Sequence, residues 1–491
     1  MSQLPTFAVV GIDCFERLVR LRLPFRFGAA TLTEAIEAFV RADIRLPDGR
    51  AGVGATAELM VPKWFDKDPA RSNEDNVGEL RCALTLAREA YLADAAPRSA
   101  FAHFAAHYER CLAEGERRGL PALAAQFGPA EIDRAILDAL CRVLRVPFHT
   151  AIKSNLVGFD AAAVAPDLAG FDSNALLAGC APRDSIALRH TIGLLDAIGG
   201  HSRQAADGLP ELLEEVIAAH SPTWFKLKLS GDVAADLQRL VEIASVLDGM
   251  PSYKVTLDGN EQFEDVAGIA ALLDAMRAEP RLRRLSAAVA FFEQPVARRY
   301  ALERDVGGIA PRLALLIDES DATLDAFPRA RALGYTGVSS KSCKGLYKSF
   351  LNLARCERWN AEEGATRYFL SAEDLTTQAG LSVQQDLALA AMLGIEHVER
   401  NGHHYVNGMA GAPEPEQRAF LAAHPDLYER SHGAVRLAIR DGRLALGSLW
   451  GEGFASAAMP DWPSLTPQPA IDRLWRPARF AGTATAARPA I

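Results

Sequence analysis

The 491-residue chain lacks several things, and each absence removes a class of function. No stretch approaches the 18 or more consecutive apolar residues of a membrane span, so membrane partners are not expected. The formal charge is -9 and no long Lys/Arg block interrupts it, which argues against general nucleic-acid binding. Seven cysteines, an odd number and widely scattered, read as free thiols in a reducing cytoplasm, and none has zinc-site spacing. The opening MSQLPTFAVVGIDCFERL has no basic segment leading into a sustained apolar one, so no secretion signal is expected and the location reads as cytoplasmic. No Gly-rich phosphate fingerprint follows a strand, which removes the usual signature of an open doubly wound sheet.

What is present is the composition of a soluble globular protein, 49% hydrophobic and 23% charged, in a chain too long for one ordinary core. The first 60 residues alternate like β-structure, with turn signals at Pro47–Gly54. From about Asn76 to Leu144 apolar residues recur at three- and four-residue spacing, which predicts helices. After about Ser185 short apolar strands alternate with amphipathic helices. Eight such strands are readable: IALRHTIG, TWFKLKLS, YKVTLDGN, VAFFEQP, LALLIDES, YTGVSSKS, RYFLSAED and IEHVER. That rhythm predicts parallel strands closed into a barrel. A last β-like piece, AVRLAIRDGRLALG, is expected to return to the N-terminal domain, and the Ala/Pro/Arg-rich tail after about Pro467 to be poorly ordered.

The chemistry-bearing residues fall at strand ends, which face the active site in a barrel of this type. The second strand ends Lys226-Leu227-Lys228, the third Asp258-Gly259-Asn260, the fourth Glu293-Gln294-Pro295, the fifth Asp318-Glu319-Ser320, and the sixth leads to Lys341. Period two puts Lys226 with Lys228, and Asp258 with Asn260, on one side of their strands. Charges at the ends of apolar strands are costly to bury unpaired. One arrangement removes the cost: three carboxylates on adjacent strands bind a hard divalent cation, and two ammonium groups flank it. Oxygen ligands of this kind suit Mg²⁺, with Mn²⁺ as an alternative. A cation on a substrate carboxylate would stabilise the enediolate left when the α-proton departs, and lysines on opposite sides could take and return that proton. Their pKa values are expected to fall toward neutrality through the nearby cation and each other.

The ordered set K-x-K, D-x-N, E-Q-P, D-E-S and a following K resembles the enolase superfamily, specifically its muconate-lactonising-enzyme-like subgroup, over roughly residues 5 to 455. LPFRFG and AEIDRAILDALCRVLRVPFHTAI resemble that family's first capping strand and last capping helix. The resemblance implies an α/β fold: a modified (β/α)7β TIM-type barrel over about 185–405, with an α+β capping domain over 1–150 that carries an enlarged insertion at about 65–125. Segment 406–491 would return to the cap. It implies metal ligation by Asp258, Glu293 and Asp318, with Lys228 and Lys341 as the acid/base pair and Lys226 and Asn260 as orienting groups.

Other positions carry their own readings. Glu319 points away from Asp318 and suits a hydrogen-bonding role. Lys344 competes with Lys341 as the second acid/base. Glu373 and Asp374, ending the seventh strand, are either substrate contacts or a polar cap. His190 is either near the site or packed, and His397 is structural. Glu399, Asn401, His403 and His404 read as a solvated loop. In the cap, Arg26, Lys63 and Trp64 lie where family loops close over substrate, and a basic residue there would suit a second anionic group. The expected partner is a small carboxylate; assembly into a homo-oligomer stays open. The expected activity is that of an isomerase (racemase, epimerase or cycloisomerase) or of a lyase, a sugar-acid or related dehydratase. A D-x-D segment of the kind dipeptide epimerases use is not evident. A non-catalytic carboxylate- or metal-binding relative is the alternative from another class, and the presence of both lysines counts against it.

Overall fold

The computed structural model describes residues 4–28, 30–200, 205 and 207–471. The tail expected to be poorly ordered lies outside the described residues from 472 onward. The alternating N-terminal sequence forms an antiparallel meander, β1 (Ala8–Phe27), β2 (Ala30–Arg45) and β3 (Ala51–Met60). Helices Asn73–Ala93, Ala100–Arg118 and Phe127–Leu144 follow. The first starts at a reciprocal cap: the Asp75 amide donates to Ser72 Oγ (3.0 Å), while the Ser72 amide donates to Asp75 Oδ2 (2.8 Å). The two helices Asn73–Ala93 and Ala100–Arg118 fill most of the stretch 65–125.

Helix Phe127–Leu144 is buried along most of its length, because β2 and β3 and the helices Asn73–Ala93 and Ala100–Arg118 all pack on it. Its contact with β3 depends on Gly54. A Cβ there would lie 2.1 Å from the Ala139 amide nitrogen and 2.3 Å from the Ala135 carbonyl oxygen, distances that backbone cannot yield.

Eight parallel strands make the barrel: β4 (Ser185–Ile192), β5 (Trp224–Lys228), β6 (Lys254–Asp258), β7 (Val289–Glu293), β8 (Leu315–Ile317), β9 (Gly337–Ser340), β10 (Phe369–Ala372) and β11 (His397–Arg400). Each pairs with the next, and β11 closes on β4 with Val398 opposite Leu188. All eight strands match the segments read from the sequence. The cap sits on the barrel through buried polar contacts as well as apolar ones: Thr56 Oγ1 donates to Gln385 Oε1 (2.6 Å), and Gln385 Nε2 donates back to the Ala55 carbonyl (2.8 Å).

One sequence expectation is corrected. The piece spanning Ala434–Gly447 does not join the N-terminal sheet. Its strand Ala434–Leu437 pairs with Tyr428–Ser431, and Arg443–Ala445 pairs antiparallel with the start of β4, Leu444 opposite Ile186. The reason is stagger. β5 first pairs with β4 at Arg189, so the edge of Ser185–Leu188 is open, and the C-terminal hairpin fills it. The return to the cap comes later, where Thr466–Pro467 pairs with β1. No helix among the described residues is long and apolar enough to cross a membrane.

Gly54→Val should destabilise the protein by about 3 kcal/mol, read as a lower urea midpoint. An unchanged midpoint would contradict the close approach of β3 to helix Phe127–Leu144.

Candidate active site

The pleat carries alternate residues of each strand into the barrel, and their order delivers charge to one end. Lys228 lies beside Asp258 in register, and Asp258 beside Glu293. Asp318 directly follows β8, and Lys341 directly follows β9. All five are buried, with none more than 7% exposed. The turn carrying Asp318 is pinned by Gln294, whose Oε1 accepts from the amides of Asp318 (2.7 Å) and Ser320 (3.1 Å). Backbone strain gathers at these strand ends. Asn260, Gln294 and Thr376 hold φ of 40°, 31° and 58°, the left-handed region that costs a side-chain-bearing residue about 1–3 kcal/mol.

Lys226 stands at the centre. Its Nζ lies 2.9 Å from Asp258 Oδ2, 2.7 Å from Glu293 Oε2, 2.8 Å from Glu373 Oε2 and 2.8 Å from Glu399 Oε2. Burial pulls its pKa down, but these four carboxylates outweigh that and hold it well above the ordinary value. Lys228 Nζ donates to Asp258 Oδ2 (2.5 Å), and Lys341 Nζ donates to Asp318 Oδ2 (2.6 Å). Asp258 and Asp318 would both be raised by burial, yet the ammonium groups beside them keep them below the usual carboxylate range. Glu293 behaves oppositely. Burial first, then repulsion from Asp258 and Glu373, push it well above that range despite Lys226.

At Lys341 burial and the neighbouring carboxylate pull the pKa in opposite directions. Burial does lower it, but Asp318 more than compensates and raises it above the ordinary lysine value.

Lys344, the competing lysine, lies behind Asp318. It donates to Ser339 Oγ (2.6 Å) and sits 3.0 Å from Asp321 Oδ2. Lys228 and Lys341, not Lys344, face a small cavity of about 20 Å3 between barrel and cap. Aromatic rings roof both: Trp64 lies 4.4 Å from Lys341 Nζ, and Phe25 lies 6.0 Å from Lys228 Nζ. Glu319 hydrogen-bonds, accepting from Asn260 Nδ2 and Lys67 Nζ (3.4 Å each).

Other sequence readings resolve as follows. Glu373 neither caps nor faces the cavity; it is held by Arg189 Nη2 and Lys226. Asp374 and Asn401 line the cavity. The cluster read as a solvated loop is buried, because β11 carries Glu399 into the barrel and a short helix, Gly402–Tyr405, follows at once. Glu399 accepts from Thr191 Oγ1 (2.6 Å) as well as from Lys226. His190 faces away from the barrel interior and packs on His403, ring nitrogens 3.3 Å apart. His397 stacks on Trp224 with ring centroids 3.7 Å apart, a structural contact. Arg26 is exposed, and Lys63 Nζ donates to the carbonyls of Asp68 (3.0 Å) and Arg71. Arg189 and Thr191 were not singled out from the sequence. Their signal was there: two polar residues two apart on one face of an apolar strand.

For a divalent cation, the donor set fits in kind. Asp258, Glu293 and Asp318 end three adjacent strands, and Glu293 has more negative charge around it than Lys226 offsets. Asn260 Oδ1 and Glu319 Oε2, close by, are buried without a hydrogen-bond partner. Among the described residues no three such groups converge closely enough to hold a metal as they stand, because Asp258 and Asp318 are drawn onto lysines.

No protein-family model and no curated protein sequence matches the chain. Solved structures do. A mandelate racemase/muconate lactonizing protein from Herpetosiphon aurantiacus aligns over 91% of this chain and 98% of its own, with a TM-score of 0.55 and 19% identity. The 2-chloromuconate cycloisomerase of Rhodococcus opacus 1CP aligns over 93% and 98%, with a TM-score of 0.54 and 16% identity. The dipeptide epimerase of Enterococcus faecalis V583, complexed with Mg and L-Leu-L-Tyr, aligns over 91% and 99%, with a TM-score of 0.56 and 16% identity. The fold is that of these enzymes. The muconate-lactonising fold pairs a TIM-type barrel with a capping domain, and here the strand-end charges lie where the two meet.

Lys226→Met should leave four buried carboxylates without their shared ammonium and cost about 3–5 kcal/mol. Urea denaturation at neutral pH measures it; an unchanged midpoint would show that Lys226 does not tie the strands together.

Proposed function

We propose that the chain is an enolase-superfamily enzyme of the muconate-lactonising-like subgroup that abstracts the α-proton of a small carboxylate with help from a divalent metal ion. One observation carries the reading: the ammonium groups of Lys228 and Lys341 line the same small cavity, each paired with a different carboxylate of the ligand-like trio. Asp258, Glu293 and Asp318 would hold the metal, Mg²⁺ by the hardness of its oxygen donors and Mn²⁺ as an alternative. Such an ion would supply Lewis acidity to the substrate carboxylate.

The chain's own residues account for the rest. A lysine takes a proton only when neutral, and Asp318 holds the Lys341 pKa above the ordinary lysine value. A cation held by Asp258, Glu293 and Asp318 would weaken the hold of Asp318 on Lys341 and so favour the neutral amine. One amine then removes the proton and the other returns it. The roof of Trp64 and Phe25 keeps bulk water from the exchange. Lys344 and Ser339 position Asp318 and do not touch the cavity.

Proton return to the opposite face gives racemisation or epimerisation, attack within the substrate gives cycloisomerisation, and loss of a β-substituent gives dehydration. Racemisation, epimerisation or cycloisomerisation is the preferred outcome, in keeping with fold neighbours named as an epimerase and a cycloisomerase. Retention of both lysines disfavours a non-catalytic role.

Solvent deuterium should enter the α-position of a turned-over acid only when Mg²⁺ is present. Lys228→Ala and Lys341→Ala should each slow that exchange by about 10²-fold or more, while Lys344→Ala should act through stability and metal affinity. Metal-independent exchange, or exchange indifferent to both lysines, would overturn the proposal.

A further inference from the structure

The wall of the catalytic cavity restricts what can fill it. Its only cations among the described residues are Lys228 and Lys341, both engaged by carboxylates. No further cation is free to meet a second anionic group. Lys63 is turned onto backbone carbonyls, Arg26 is exposed, and Lys67 is tied to Glu261 (2.5 Å) and to the Asn260 carbonyl (2.8 Å). Nor does the wall offer a free carboxylate to a substrate ammonium. Asp374 Oδ1 accepts from the amide and hydroxyl of Thr377, and its Oδ2 accepts from the Asn401 amide (2.8 Å). An ammonium would also face two lysines already present.

Two neutral acceptors are left. Asn260 and Asn401 both line the cavity, each is at most 2% exposed, and Oδ1 of each has no hydrogen-bond partner. The orientation of Asn260 is set, since its Nδ2 is held by Glu319. Buried acceptors left without donors are costly, so these two oxygens call for O–H groups on the ligand. The remaining wall is mostly apolar, from Phe25, Phe27, Val61 and Leu375 beside Trp64, with Thr376 its other polar residue.

We infer that the acid taken by this site is a small monoanionic hydroxy acid: one carboxylate, one or two hydroxyl donors for Asn260 and Asn401, and neither a second anion nor an ammonium. The inference rests on the proton-transfer reading of the site. It separates this chain from a dicarboxylate or dipeptide enzyme of the same fold.

The test uses the Mg²⁺-loaded full chain and two readouts, binding by calorimetry and α-exchange by NMR in D2O. The acids are glycolate, lactate and 3-hydroxybutyrate; their deoxy partners acetate, propionate and butyrate; the dicarboxylates succinate and malate; and the amino acids alanine and serine. Hydroxy monoacids should bind about tenfold more tightly than their deoxy partners, the worth of one or two hydrogen bonds. Dicarboxylates and amino acids should bind more weakly still. Asn401→Leu should bring the hydroxy-to-deoxy ratio toward one while leaving deoxy acids nearly as tightly bound; the wild-type panel stands alone if that variant fails to fold. Tightest binding of a dicarboxylate or amino acid, or no hydroxy preference in the wild type, overturns the inference. Should exchange appear in one of those acids, the proton-transfer reading survives without it. Hydroxy-acid binding with exchange in no acid overturns the reading, and the inference falls with it.

Discussion

A single buried ammonium, that of Lys226, touches carboxylates from four strands, and the upper half of the barrel is organised around it. Asp258 and Glu293 stand on one side of it, Glu373 and Glu399 on the other. Burial makes each of these charges expensive alone, so their positions are not independent. Arg189 and Thr191 take the outer oxygens of Glu373 and Glu399 and fix the far side of the ring. The near side is left with an imbalance: Glu293 has too little positive charge around it, whereas Asp258 and Asp318 each hold a lysine. A divalent cation among these three would relieve both conditions at once, supplying the charge that Glu293 lacks and drawing Asp258 and Asp318 off their lysines.

The cap completes the site by covering it. Close packing of β3 on helix Phe127–Leu144, possible because Gly54 has no side chain, sets the cap's thickness. The loop leaving β3 then delivers Trp64 over Lys341, and the end of β1 delivers Phe25 over Lys228. The chemical groups are therefore supplied by the barrel and the shape of the space above them by the cap.

The eight barrel strands and the charges at their ends were legible because period-two alternation and apolar strands ending in charge leave a direct trace in the sequence. Less legible was anything set by stagger or by the inward face of an unmarked strand. The hairpin Ile439–Ala445 alternates like an N-terminal strand, yet it fills the edge left open at Ser185–Leu188, which only the offset of β5 reveals. Glu399 looks like the start of a polar loop because Asn401, His403 and His404 follow it, but the pleat of β11 turns it inward. Which of Lys341 and Lys344 reaches the cavity needed coordinates, since three residues of separation place the first at its wall and the second behind Asp318.

The central claim is that Asp258, Glu293 and Asp318 form a divalent-cation site built around this charge imbalance. Calorimetric titration of metal-free protein with Mg²⁺ tests it most directly. The account predicts one saturable site that weakens about tenfold or more in Asp258→Asn and in Asp318→Asn. No saturable binding in the wild type, or binding unchanged by both substitutions, would contradict it.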